Sequence, residues 1–247
     1  MRALAPAFKP YKWAPPSDEV ARLAGVDPSQ VLRFDQNTPS QPLASTRPAA
    51  VAGALARISG YPAGGYRTLR RAIADYAGVE PENIVLGAGA DDLILLCARA
   101  YAGPGDTVAI PESPTYPLFR IAVELAGAKI GDEDPVLTFA CRPNNPTGTL
   151  GPLPDARPLV VDEAYFEYSG ETALPLLDEG VIVLRTFSKL FALAGARIGY
   201  ALASTEIAAE LNARQAPAPV SEVSAALAIA ALAARPTSPS RSTSETG

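Results

Sequence analysis

The sequence predicts an α/β fold whose mostly parallel sheet is covered by helices on both faces. Three observations predict it. Residues 136–140, 159–161 and 181–184 are apolar runs of strand length, as strands buried on two faces require. They alternate with segments of helical periodicity, which is the pattern of crossover units. Of the 247 residues, 48% are hydrophobic, enough for one large domain or a domain plus a fragment.

The elements follow in order. Residues 1–35 are Pro-rich and read as an arm with one short helix over 17–23, which Ser17 would cap and Glu19 would favour from its first turn. The run Gly-Tyr-Pro-Ala-Gly-Gly at 60–65 is a turn-rich loop. Over 66–76, Leu69, Ile73 and Tyr76 recur at helical spacing, with Arg67, Arg70 and Arg71 on other faces. A short strand at 83–86 runs into Gly87-Ala88-Gly89-Ala90, which opens a helix over 91–101. Residues 107–110 form a strand, and 117–126 a helix that Gly127 ends. After Tyr200, residues 206–214 and 221–234 are Ala-rich helical patterns separated by Pro217 and Pro219. Residues 235–247 are mostly Ser, Thr, Pro and Arg without apolar periodicity, and read as disordered. No internal repeat is visible.

Composition narrows the chemistry. The net charge is -5 with no long basic run, which argues against nucleic acid as a partner. No apolar run approaches membrane-spanning length, and the first residues lack the apolar core of a signal peptide. Cys97 and Cys141 imply no disulfide framework and fit a reducing cytoplasm as free, buried thiols. The chain has no histidine, which removes Ser-His-Asp and Cys-His catalysis and His-ligated zinc. An enzyme built from this chain must use lysine, carboxylate, tyrosine or a cofactor.

Four strand ends each carry a polar group suited to one cofactor. Gly87-Ala88-Gly89-Ala90-Asp91 follows a strand and opens a helix, so its backbone N–H groups can cradle a phosphate. Read alone it is equally an ordinary strand-to-helix turn, because Asp92 stands where a dinucleotide fingerprint has its third glycine. Asp162 ends an apolar strand, where open parallel sheets bind ligands, and can hold the protonated nitrogen of a pyridine ring. It serves equally as a capping aspartate. Tyr165 and Asn145 can reach a phenolic oxygen; packing and a plain Asn-Pro-Thr-Gly turn are their alternatives. Tyr116 can stack on a ring or pack in the core. Lys189 can form a Schiff base if its surroundings lower its pKa, and can then move a proton between carbon atoms. Thr186, Ser188 and Arg197 supply two hydroxyls and a planar fork for a phosphate. A single Lys or Arg is ordinarily a solvated surface charge. The combination points to pyridoxal phosphate (PLP).

Asn144-Asn145-Pro146-Thr147-Gly148, Val161-Asp162-Glu163-Ala164-Tyr165 and Thr186-Phe187-Ser188-Lys189 with Ala194 to Tyr200 resemble the class I/II aminotransferases of PLP fold type I. Phe34 to Pro39 and Gly60-Tyr61-Pro62 resemble the histidinol-phosphate aminotransferase subgroup, and the likeness covers roughly residues 30 to 230. The resemblance implies a PLP-dependent transferase-like large domain, with PLP as cofactor. It implies that Lys189 is the Schiff-base lysine and Asp162 the partner of the ring nitrogen. Asn145 and Tyr165 match the groups on the phenolic oxygen, and Tyr116 the stacking ring. Ala90, Asp91, Thr186, Ser188 and Arg197 match the phosphate cup. Tyr61 matches a tyrosine that reaches the cofactor of a neighbouring subunit, so a homodimer is implied. An amino donor and a keto acceptor are the implied partners, with glutamate and imidazole-acetol phosphate as the pair. Threonine-phosphate decarboxylase and aromatic aminotransferase are look-alikes within the fold.

The same likeness divides the chain into an arm (1–35), a PLP-binding large domain (36–203), a helical remnant of a largely missing C-terminal small domain (204–234) and a tail (235–247). The links 130–136 and 149–157 are shorter than in the family, and no candidate is found for the arginine that grips the substrate carboxylate. The expectation is a truncated chain whose tail is an out-of-frame translation, with a compact family member as the alternative. With it goes a second reading of function, a PLP-binding remnant with little catalysis, and apolar faces left exposed on the helices after Glu206. Sequencing the gene past codon 247 tests the truncation.

Overall fold

The computed structural model describes residues 8–12, 14–39 and 48–234. Among these residues seven strands, β1 (Ile84–Gly87), β2 (Thr107–Ala109), β3 (Lys129–Ile130), β4 (Leu137–Cys141), β5 (Leu159–Asp162), β6 (Val181–Thr186) and β7 (Gly199–Leu202), form one sheet in the order β1-β7-β6-β5-β4-β2-β3. From β3 to β6 all neighbours are parallel, while β7 runs antiparallel to both β6 and β1. The register sets Cys141 opposite Asp162 and Asp162 opposite Leu184, so the carboxyl ends of β4, β5 and β6 lie on one edge. The link from β6 to β7 holds one 3-10 turn, Ala194–Ala196, and no crossover helix, and β7 returns antiparallel to β6. That return brings Gly199 beside Thr186 and Gly87, on the same edge.

Among the described residues eight α-helices accompany the sheet: α1 (Ser17–Ala24), α2 (Pro48–Leu55), α3 (Arg67–Ala77), α4 (Ala90–Tyr101), α5 (Pro117–Ala126), α6 (Phe166–Ser169), α7 (Thr205–Arg214) and α8 (Glu222–Ala233). Alternation along the strands splits the core into two layers. Val161, Val183 and Tyr200 face α3 and α8, with Leu69, Ile73 and Ala228 packed among them. Val160, Ile182 and Ala201 face the other way, onto Leu93 of α4, Phe119 of α5 and Leu211 of α7. Local signals end the helices as expected: Pro117 opens α5, and Gly127 closes it at φ 84°. Cys97 and Cys141 are free and buried, and burial pushes the Cys97 thiol up to about 12.

Several expectations need correction. Ser17 does not cap α1. Pro16 takes the cap position, and the Ser17 hydroxyl accepts from Arg33 Nη1 at 3.1 Å instead. The strand expected over 107–110 ends at Ala109, ahead of Pro111. α2, α6, β3 and β7 were not foreseen; α2 is a run of small apolar residues with no amphipathic stripe, and β3 has only two residues. The helices after Glu206 do not hold their apolar faces out to solvent. α7 buries Ala208 and Leu211, and α8 buries Ala225, Ala228, Ala231 and Leu232, because alanine lets both approach the sheet layers closely. The expectation for residues 235–247 lies outside the described residues.

One seam positions the site. A Cβ on Gly199 would meet the Arg185 carbonyl oxygen at 2.8 Å and the Ala90 nitrogen at 2.9 Å. Only glycine there lets β7 lie between β6 and the start of α4. We therefore expect Gly199→Ala to lower stability by about 1–3 kcal/mol in denaturant unfolding. Gly195→Ala, whose Cβ would meet nothing within 4 Å, should stay within about 0.5 kcal/mol of wild type.

Candidate active site

The strand-end edge gathers the charged groups. Asp162, the last residue of β5, is 3% exposed, and its Oδ1 accepts the Ala164 N–H at 3.0 Å. Burial raises its carboxyl pKa to about 7, and Asp91 adds to the rise; the Ala164 N–H and Lys189 pull the other way without cancelling it. Lys189 lies three residues beyond β6, half-buried, and its Nζ donates to the Gln36 carbonyl at 2.9 Å. The same Nζ stands 5.3 Å from the centroid of the Tyr165 ring. Burial lowers the amine below its ordinary value, against the pull of Asp162 and Asp91, while Arg197 adds to the fall. An amine held low in this way is neutral more of the time, which is what a nucleophile or proton carrier needs.

A donor-rich cup lies beside this pair. The first N–H groups of α4, from Ala90 and Asp91, have no partner within the helix. Gly89 precedes them at φ 90°, and a Cβ there would sit 2.7 Å from Arg197 Nη2. Thr186 Oγ1 donates to Ser188 Oγ at 2.9 Å and accepts the Ser188 N–H at 3.1 Å, so both hydroxyls sit together at the end of β6. Arg197 Nη2 donates to Asp91 Oδ2 at 2.9 Å and to the Ala88 carbonyl at 3.3 Å. Tyr116, just before α5, donates its hydroxyl to Asp91 Oδ1 at 2.9 Å.

Asn145 follows β4, and its N–H points at Cys141 Sγ at 3.4 Å. With Tyr165, Tyr168, Leu150 and Asn37 it lines a cavity of about 390 Å³. The Tyr165 hydroxyl accepts from Asn37 Nδ2 at 3.0 Å, and burial pushes its pKa up. Asp162, Lys189, Tyr165, Thr186, Ser188, Arg197, Asp91, Ala90, Tyr116 and Asn145 thus share one edge of the sheet, whereas Tyr61 stands 92% exposed between α2 and α3.

Sequence reasoning missed two kinds of contact. Gln36 and Asn37 reach Lys189 and Tyr165 from far upstream; the only signal was their place in the Phe34–Pro39 motif. The Asp91 carboxylate already occupies the Arg197 fork, so Asp91 can serve an anion only through its backbone N–H.

The ligand-free protein should show the strain of its buried acid. The folded pKa of Asp162, about 7, exceeds the ordinary 3.8, so the folded state holds this proton more tightly. The resulting stability is fully present below the unfolded pKa and is lost as pH rises through about 7. Denaturant unfolding at about pH 5 and about pH 8 should show wild type losing roughly 2–3 kcal/mol more than Asp162→Asn across that interval.

Comparison with known proteins agrees with this geometry. The family model described as aminotransferase class I and II matches residues 29–133 and 131–243. Histidinol-phosphate aminotransferase of Caldanaerobacter subterraneus subsp. tengcongensis is 37% identical over 202 residues, 70% of this chain and 57% of that protein. Histidinol-phosphate aminotransferase 1 of Psychrobacter arcticus is 33% identical over 92% of this chain and 68% of its own. The crystal structure of histidinol-phosphate aminotransferase from Sinorhizobium meliloti, in complex with pyridoxal-5'-phosphate, superposes with a TM-score of 0.76 at 26% identity, covering 93% of this chain and 72% of that one. The chain thus spans a little over half to about two thirds of the length of these curated relatives. With its strand-end site and a family match over most of its length, the chain belongs to the class I and II aminotransferases.

Proposed function

We propose that this chain is the PLP-binding part of an aminotransferase, and that its reaction is that of histidinol-phosphate aminotransferase, an amine exchange between glutamate and imidazole-acetol phosphate. The observation that carries the reading is the pairing of a low-pKa lysine amine with a buried, incompletely neutralised carboxylate at adjacent strand ends. Two curated relatives carry the name histidinol-phosphate aminotransferase, which supports the reading.

The residues fit the cofactor. Asp162 lacks a full counter-charge and would hold a protonated ring nitrogen. The Thr186 and Ser188 hydroxyls, the Arg197 guanidinium and the N–H groups of Ala90 and Asp91 would hold a phosphate, which would compete with the Asp91 carboxylate for Arg197. Asn145 and Tyr165 would serve the ring hydroxyl, and Tyr116 a ring face. Bound PLP supplies an electron sink for a carbanion at the substrate α-carbon. Lys189 Nζ, whose pKa burial lowers, would take the α-proton and return it to the acceptor carbon. Tyr165 excludes water from one side of that amine.

The working assembly is a homodimer in which the exposed Tyr61 reaches the neighbouring subunit's phosphate. A cytoplasmic setting suits the two free, buried cysteines. Among the described residues no helix is long and apolar enough to cross a membrane. Incubation with PLP, borohydride reduction and peptide mapping should place the pyridoxyl group on Lys189. Lys189→Ala should lose the adduct and on the order of 10²–10⁴-fold or more of transamination. An adduct on another lysine, or an unchanged adduct yield in the variant, contradicts the assignment.

A further inference from the structure

Behind the site lies a charged pair that the proposed chemistry does not use. Glu163 and Arg185 sit one residue after Asp162 and one before Thr186, and are 1% and 2% exposed. Arg185 Nε and Nη2 donate to Glu163 Oε2 at 3.1 and 3.0 Å, and Nη2 also donates to Thr172 Oγ1 at 2.9 Å. Glu163 Oε1 accepts the Ala173 N–H at 2.6 Å, and Oε2 accepts the Thr172 hydroxyl at 2.9 Å. The Arg185 guanidinium carbon lies 3.6 Å from the centroid of the Phe166 ring.

A buried ion pair is often no more stabilising than apolar side chains of the same volume, so stability alone does not account for it. Its geometry does something else. Glu163 and Phe166 bracket Ala164 and Tyr165, the Phe166 N–H donates to the Glu163 carbonyl at 2.9 Å, and both bracketing side chains are gripped by one arginine of β6. The turn so pinned supplies the N–H on Asp162 and the ring beside Lys189.

We infer that Arg185 and Glu163, with Phe166, are positioning residues that hold the Asp162–Tyr165 turn against β6 and so keep the Tyr165 ring over the Lys189 amine. The inference rests on the proposed roles of Lys189 and Tyr165, and it concerns how wet that amine is. Besides the ring, Lys189 meets Asp162 of β5, Asp91 of α4, Arg197 of its own loop and the Gln36 carbonyl. Loosening the turn admits water to the amine, favours its charged form and makes it less nucleophilic.

The test uses ligand-free protein and trace acetylation, with peptide mass spectrometry reading Lys189 against the exposed Lys129 as internal reference. In the charge-neutral double variant Glu163→Met/Arg185→Met, and separately in Phe166→Leu, Lys189 acetylation at about pH 8 should slow at least about threefold relative to Lys129, the equivalent of half a pKa unit. If the double variant fails to fold, Phe166→Leu alone decides. A wild-type relative rate in either folded variant overturns the positioning role. Borohydride trapping of wild type with PLP runs in parallel: failure to label Lys189 there overturns the cofactor reading, while trapping with unchanged acetylation in the variants overturns this inference alone.

Discussion

The structure depends on a buried acid whose charged form the surrounding protein leaves partly unanswered. Asp162 sits at the end of a central parallel strand, and its neighbours include one N–H donor, one amine and two further acids, Asp91 and Glu163. In the dry interior an ion so placed either takes a proton or recruits a cation. Burial raises the Asp162 carboxyl to about 7, so below neutrality it takes the first course. A cationic ring nitrogen would let it do the second. This one constraint links the fold, the lowered amine of Lys189 and the requirement for a cofactor.

The fold creates the constraint by alignment. Parallel register brings Cys141, Asp162 and Leu184 level, and the antiparallel return of β7 folds the Lys189–Arg197 loop over the same edge. Glycine at 199 lets that return lie against the start of α4, and glycine at 89 leaves room for the Arg197 fork. Arg197 itself sits at φ 49° and Ala192 at φ 53°, left-handed conformations that non-glycine residues adopt at a cost. The loop that carries the Lys189 amine is thus held by its surroundings rather than by its own preferences.

Much of this was legible in the sequence because it was local. The strand runs around 159–161 and 181–184 are continuous apolar residues, and Pro117 and Gly127 punctuate α5, so those elements read directly. The polar residues at the ends of those runs fell where ligand groups fall in parallel sheets, so the edge placement of Asp162 and Lys189 could be read as well. What escaped reading was long-range or unpatterned. Nothing local says that Gln36 and Asn37, 153 and 128 residues away, touch Lys189 and Tyr165. Nor does it say that Asp91 turns its carboxylate onto Arg197, or that Arg185, after four apolar residues of β6, is buried on Glu163. β7 escaped because four residues beginning with glycine carry little strand signal, and the packing of α7 and α8 because alanine-rich helices show no sharp apolar face.

The most direct measurement is the carboxyl titration of Asp162, followed by carbon NMR in protein labelled at aspartate and assigned with Asp162→Asn. Without ligand the midpoint should lie near 7. With PLP bound it should fall by more than about one pH unit, because an opposite charge would then face the buried acid. A midpoint that stays in place when PLP binds would contradict the account, since the acid would then have no part in holding the ring.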